Sequence, residues 1–247
     1  MSRTLVISDI HGCLAQLFEL LNAAKYDPLK DKLIFLGDYI DRGTQSKDVV
    51  EQVKALTEKY GAVALIGNHD LMMINALNGS DEGDDGLWLN NGGYLTIESY
   101  CGLDFFEEGF EWEGYQQAKT FIKNHFSHHI DFIHSLPYYH ETENHIFVHA
   151  GLNPCYSDDW REQPKEDLVW IRDIFLNNAT NLEKTVVFGH TPTLNLHGSA
   201  DIWFKKDKIG IDGGCVFGLQ LNCLVINEDG SYGKYSVPKR MTKSMGF

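Results

Sequence analysis

Four apolar runs in this chain end abruptly in groups of donor atoms. Asp9 and His11 follow "TLVIS", Asp38, Asp41 and Arg42 follow "KLIFLG", Asn68, His69 and Asp70 follow "AVALIG", and His190 follows "VVFG". A fifth run, "HIFV", leads into His149. Taken singly, each group has an ordinary explanation: a helix cap, a turn, a core or surface imidazole. All five explanations must hold together, each after a glycine or an apolar run, which makes the joint pattern a strong signal. Carboxylates, imidazoles and an amide oxygen suit divalent Mn, Fe or Zn better than a thiolate site does. Asp9, His11, Asp38, Asn68, His149 and His190 supply enough donors for two ions, Mn²⁺ being the first expectation. Ions about 4 Å apart must share a ligand, and Asp38, just beyond a strand and Gly37, is placed to bridge them.

These groups act together only if the elements before them point to one place. "TLVIS", "KLIFLG" and "AVALIG" read as buried strands, and Leu14, Leu17, Phe18 and Leu21 fall at helical spacing between the first two. Ser46 reads as the N-cap of a second helix that Gly61 ends, and "HDLMMINAL" as a third. This alternation predicts a largely parallel sheet with packed helices, and in such sheets ligands sit beyond the carboxyl ends of the strands.

The rhythm breaks at "NGSDEGDDGLWLNNGG". Its acidic part, 80–86, lacks the twelve-residue calcium-loop pattern and reads as a solvated loop. From there to about residue 137 the chain is helical, aromatic and rich in histidine. Tyr100, Phe105, Phe106, Phe110, Trp112 and Tyr115 read as the small core of a cap. His125, His128, His129 and His134 read as helix-surface residues rather than a third cation site. Strands resume at "HIFVHAG" and "KTVVFGHT", with one helix over "EDLVWIRDIF", and the last segments read as closing antiparallel strands. Without a linker or repeat, one domain over 1–247 with an insertion at about 78–137 is the expected organisation.

The chain has 247 residues, 43% hydrophobic and 23% charged, as in ordinary globular proteins. Its net charge of −14 argues against general affinity for nucleic acid or an anionic membrane. Anionic substrates remain compatible, because bound cations supply local positive charge. Five scattered cysteines without a CxxC suit a reducing compartment. No signal-peptide core and no run of 18 apolar residues is present, so a cytoplasmic location is expected. The tail "KRMTKSMGF" reads as a frayed terminus.

"SDIHG", "GDYIDRG", "GNHD", "VHAGL" and "FGHT", in this order, closely resemble the phosphoprotein phosphatase branch of the calcineurin-like metallophosphoesterases. "WLNNGG", "LVWIRDIF", "GHTPTLN" and "IDGGCVFGLQL" are similar to its bacterial and phage-lambda Ser/Thr phosphatases. The resemblance implies an α/β fold of two mixed β-sheets in a sandwich flanked by helices. It implies that Asp9, His11 and Asp38 bind one metal and Asp38, Asn68, His149 and His190 the other. His69, kept protonated by Asp41, would be the general acid, and Arg42 and Arg172 would grip phosphate oxygens. The implied reaction is hydrolysis of a phosphoprotein or small phosphate monoester by hydroxide held between the metals. Asp70, where glutamate is usual, instead resembles the sister group, the symmetrical diadenosine tetraphosphate hydrolases, which supply the alternative substrate class.

Overall fold

The computed structural model describes residues 3–79, 81–156 and 159–239. Thr4–Ile7 (β1), Leu14–Ala23 (α1), Lys32–Phe35 (β2), Ser46–Tyr60 (α2) and Val63–Ala64 (β3) alternate, followed by Asn68–Asn78 (α3). β1, β2 and β3 pair in parallel, Leu5 lying opposite Leu33 and Phe35 opposite Ala64. Side chains alternate across each strand, so Leu5, Ile7 and Phe35 pack with Leu17, Val49 and Val53 of α1 and α2. Val6 and Ile34 point the other way, towards Phe147, Val187 and Ile209.

Gly61, with φ 71°, ends α2 in the left-handed conformation that favours glycine. Ser46, by contrast, does not cap α2 but lies in its first turn, with Gln45 at the cap. Its hydroxyl is committed to the loop before it, accepting from the Asp41 N–H at 3.2 Å and donating to Gly43 O at 3.3 Å.

Between α3 and the next strand lie Glu82–Trp88 (α4), Tyr94–Cys101 (α5), Trp112–His125 (α6) and Ser127–His134 (α7). α4 replaces the expected solvated loop. Asp81 caps it by accepting from the Gly83 N–H at 2.8 Å, and acidic Glu82, Asp84 and Asp85 suit its first turn. The aromatic segment has no core of its own: Tyr100 and Tyr115 are buried in the cluster that contains Leu5 and Leu17, while Phe110 and Trp112 are exposed. His129 is buried, against the surface reading, whereas His125, His128 and His134 are exposed.

The second half contains Tyr139–Glu141 (β4), His145–Val148 (β5), Lys165–Trp170 (α8), Asp173–Asn177 (α9) and Thr185–Phe188 (β6). Thr193–His197 (α10), Trp203–Phe204 (β7) and Lys208–Gly210 (β8) follow. These strands form one sheet in the order β4-β5-β6-β8-β7, parallel at its centre and antiparallel at both edges. Extended backbone at Ile171, ψ 143°, splits the expected single helix into α8 and α9, leaving Arg172 at the break. Gln220–Ile226 (β9) and Tyr232–Pro238 (β10) return to the first sheet in the order β10-β9-β1-β2-β3. The result is a sandwich of two mixed five-stranded sheets flanked by helices. No helix among the described residues is long and apolar enough to cross a membrane. The tail lies outside the described residues from residue 240 onward.

Candidate active site

The carboxyl ends of β1, β2, β5 and β6 and the start of α3 meet along one edge of the sandwich, and the backbone there is unusual. Among the described non-glycine residues with positive φ are Asp9 (52°), His11 (43°), Asp38 (58°), Asp41 (68°), Arg42 (66°) and His190 (62°). Left-handed backbone costs such residues roughly 1–3 kcal/mol each and survives only where the surroundings fix it. The surroundings do so here. His11 N–H donates to Asp38 O at 2.9 Å, and Asp9 N–H to Gly37 O at 3.2 Å. The buried Asp70 carboxylate accepts from the N–H groups of Asp38 (2.8 Å), Gly67 (2.9 Å) and Tyr39 (3.1 Å). Gly37, at φ 101°, has no room for a side chain, since a Cβ would stand 2.5 Å from Gly67 N.

Asp38 Oδ2 lies 3.4 Å from His11 Nε2 and 3.5 Å from His149 Nε2, and the latter is 3.0 Å from Asn68 Oδ1. His11 Nδ1 points to Ile40 O at 2.6 Å and His149 Nδ1 to Leu36 O at 2.8 Å. A proton on each Nδ1 satisfies those carbonyls and leaves the Nε2 lone pairs facing inward, the arrangement of metal-ligating histidines. His190 N–H donates to both oxygens of Asp9, at 3.1 and 3.0 Å, while His190 Nε2 is buried without a partner. Donor atoms within 4.8 Å of one another form two groups: His11, Asp38 and His69; and Asp38, His149 and His190. Asp38 belongs to both.

The electrostatics agree with that arrangement. Burial, then the neighbouring Asp9 and Asp70, pushes the Asp38 carboxyl well above the usual carboxylate range. Burial pushes the imidazoles of His11, His149 and His190 down, so they are neutral. Crowded carboxylates, inward lone pairs and an orphaned His190 nitrogen fit divalent cations.

Beside these donors, His69 Nδ1 is 2.8 Å from Asp41 Oδ2. The other Asp41 oxygen accepts from Trp88 Nε1 at 3.0 Å and Thr96 Oγ1 at 2.6 Å. Burial pushes Asp41 up to about 7, with the Thr96 and Trp88 hydrogen bonds opposing it. Trp88 and Thr96 both donate to the carboxyl, which suits the ionised form with a proton on His69 Nδ1. Burial first, and then Arg42, His149 and Arg172, lowers the His69 pKa. That direction favours the neutral ring, and the Asp41 carboxylate 2.8 Å away favours the protonated one.

Asp9, Asp38, Asn68, His69 and His190 open onto a cleft of about 390 Å³, which Arg42 and Arg172 also line. His11, Asp41 and His149 stand behind that surface. The segment 88–93 explains itself here: Trp88 holds Asp41, Gly92 O accepts the Arg42 N–H at 3.3 Å, and Asn91 lines the cleft. Asp212, Trp170 and Phe217 are among the other lining residues, and the sequence reading does not single them out as site residues. Asp212 is buried, its carboxyl pushed well up by burial and by Asp9. An acid followed by two glycines just after β8 repeats the pattern of the other strand ends, a signal that was available. Phe217 lies beneath Arg42, whose guanidinium carbon is 5.3 Å from the ring centre. Neither Asp70 nor the aromatic residues 100–115 line the cleft.

Residues 2–218 match the family of calcineurin-like phosphoesterases. Serine/threonine-protein phosphatase 1 of Salmonella typhimurium is 31% identical over 221 residues, covering 87% of this chain and 88% of that protein. The symmetrical bis(5'-nucleosyl)-tetraphosphatase of Actinobacillus pleuropneumoniae serotype 3 is 26% identical over 268 residues, covering 90% and 94%. The crystal structure of a metallophosphoesterase from Sphaerobacter thermophilus shares the fold, with TM-score 0.57 at 18% identity over 96% of this chain and 89% of that one.

Proposed function

The chain belongs to the calcineurin-like phosphoesterases, and from that premise we propose that it is a metal-dependent phosphatase acting on phosphoserine and phosphothreonine in polypeptides. The observation that carries this reading is the convergence of Arg42 and Arg172 on the same cleft as Asp9, Asp38, Asn68, His69 and His190. In the proposal, Asp9, His11 and Asp38 hold one cation, and Asp38, Asn68, His149 and His190 hold a second. Mn²⁺ is the expected metal, and Fe or Zn suits the same donors. When bound, the two cations neutralise phosphoryl oxygens and make a water molecule acidic enough to react at neutral pH.

The side chains supply the rest. Arg42 and Arg172 present planar forks that match phosphoryl oxygens and stabilise the negative charge that develops on them. His69 Nε2 gives the proton needed by a departing serine or threonine oxygen, whose own basicity makes it a poor leaving group. A phosphoryl dianion would offset the two guanidiniums that disfavour a charged His69, which favours the protonated imidazole when substrate is bound. Asp41 fixes the ring and stabilises the imidazolium so formed.

A second reading, hydrolysis of dinucleoside polyphosphates, draws support from Trp170 and Phe217, two exposed aromatic faces on the cleft suited to stacking a base. The deciding measurement compares kcat/KM for a phosphoserine peptide with that for diadenosine tetraphosphate, both with Mn²⁺. A higher value for the peptide is expected, and a higher value for the dinucleotide would favour the second reading.

A further inference from the structure

Away from the cleft, α2 and α7 bring three donors together. Glu51 projects from α2, and His128 and His129 from the first turn of α7. One donor atom from each lies within 4.8 Å of the other two. His129 Nε2 is 2.7 Å from Glu51 Oε2, and His128 Nε2 is 3.9 Å from the same oxygen. We propose that Glu51, His128 and His129 form a clasp for one zinc-type divalent cation, separate from the metals of the cleft.

The chemistry of the donors favours such an ion, since two imidazoles and a carboxylate suit zinc well. Tetrahedral zinc with bonds of about 2.0–2.1 Å sets its ligand atoms roughly 3.4 Å apart. The His129–Glu51 pair must open by about 0.7 Å and the His128–Glu51 pair must close by about 0.5 Å. Glu51 and His128 have the freedom to do so, their side chains being 61% and 51% exposed. Lys54, the neighbouring cation, pairs with Glu58 at 2.8 Å.

His129 is already oriented for the purpose. Its ring is 2% exposed, and its Nδ1 lies 3.0 Å from the Tyr100 hydroxyl on α5. A tyrosine hydroxyl both donates and accepts. Without a cation, His129 Nε2–H donates to Glu51 and Tyr100 donates to Nδ1. With one, the proton moves to Nδ1, Tyr100 accepts it, and the Nε2 lone pair faces the ion. Both states leave the imidazole ring satisfied, and the cost of loading falls on the Tyr100 O–H, which must turn away from Nδ1. A bound cation would tie α7 to α2, with α5 braced behind; α5 also carries Thr96, which holds Asp41.

The test uses full-length, Mn²⁺-loaded protein and its Glu51→Gln and His128→Ala variants. Each is incubated with ZnCl₂, desalted and analysed for zinc per chain. Exchange of zinc into the cleft is common to all three proteins and cancels in the difference. The wild type should retain one zinc more than either variant. Zinc should also raise its Tm by about 2–4 °C more than theirs. Equal zinc content in all three proteins overturns the proposal.

Discussion

Asp41 and His69 form a buried pair, with Oδ2 2.8 Å from Nδ1, and Asp41 is anchored from its far side by Trp88 and Thr96. Only Nε2 of the imidazole is thus left for substrate. His69→Asn should lower kcat on a phosphoserine peptide by about 10²–10⁴-fold. On an aryl phosphate, whose leaving group departs without a proton, the loss should stay under about tenfold. Equal losses on the two substrates would refute the proton-donor role.

Asp70 stands where the resemblance leads one to expect glutamate, yet its carboxyl does not line the cleft and accepts from three backbone N–H groups. Its task is to hold the end of β2 against the start of α3. Asp70→Ala should therefore cost about 3–5 kcal/mol in chemical denaturation, as expected for removing a buried hydrogen-bonded charge. Asp70→Glu should leave the ratio of phosphopeptide to dinucleotide turnover unchanged. A reversal of that ratio would make Asp70 a specificity residue after all.

The donors at the strand ends were legible because each follows a short apolar run and a tight turn, a pattern local in sequence. Asp212 follows the same rule, but its signal is weak beside the longer motifs. The acidic residues of α4 suggest solvation, although Asp81 followed by Glu82, Asp84 and Asp85 is also a helix start. Arg172 could be named from its motif, but the helix break that presents it was hidden by continuous apolar spacing through "LVWIRDIF". Trp170 and Phe217 reach the cleft from loops distant in sequence, and only tertiary packing brings them there. Glu51 and His129 likewise belong to helices whose contact no local pattern announces.

Removing metal should abolish activity, since Asp9, Asp38 and Asp212 would then crowd one buried region without cations between them. Because Asp38 stands in both donor groups, Asp38→Asn should lose both cleft metals, whereas Asn68→Ala should lose chiefly one. Elemental analysis of protein charged with Mn²⁺ alone distinguishes the two variants. Full activity after exhaustive chelation would end the metal-dependent account.

His140 and His145 lie well away from the cleft, and burial lowers the pKa of both below the ordinary 6.5. The unfolded chain therefore binds more protons at these positions as the pH falls. Their contribution is fully present above the unfolded value and is lost as the pH drops through it towards the folded values. The Tm should fall between about pH 7 and pH 5. It should fall less in a His145→Phe variant, which keeps the ring against Phe147 but cannot titrate. Parallel curves for the two proteins would show that His145 takes no part.

Phe217 offers the last test, because it bears on how Arg42 is aimed. The ring is 60% exposed on the cleft, which is unfavourable for a phenylalanine unless something uses its face. Arg42 does, with its guanidinium 5.3 Å from the ring centre. An exposed pair of this kind contributes about 0.5–1 kcal/mol, so Phe217→Ala should raise KM for a phosphopeptide roughly 2–5-fold. The chemical step depends on His69 and the cleft metals, so kcat should change little. Phe217→Leu restores apolar contact but not the ring quadrupole, and its KM should resemble that of the alanine variant. Recovery in the leucine variant would mean that simple packing positions Arg42.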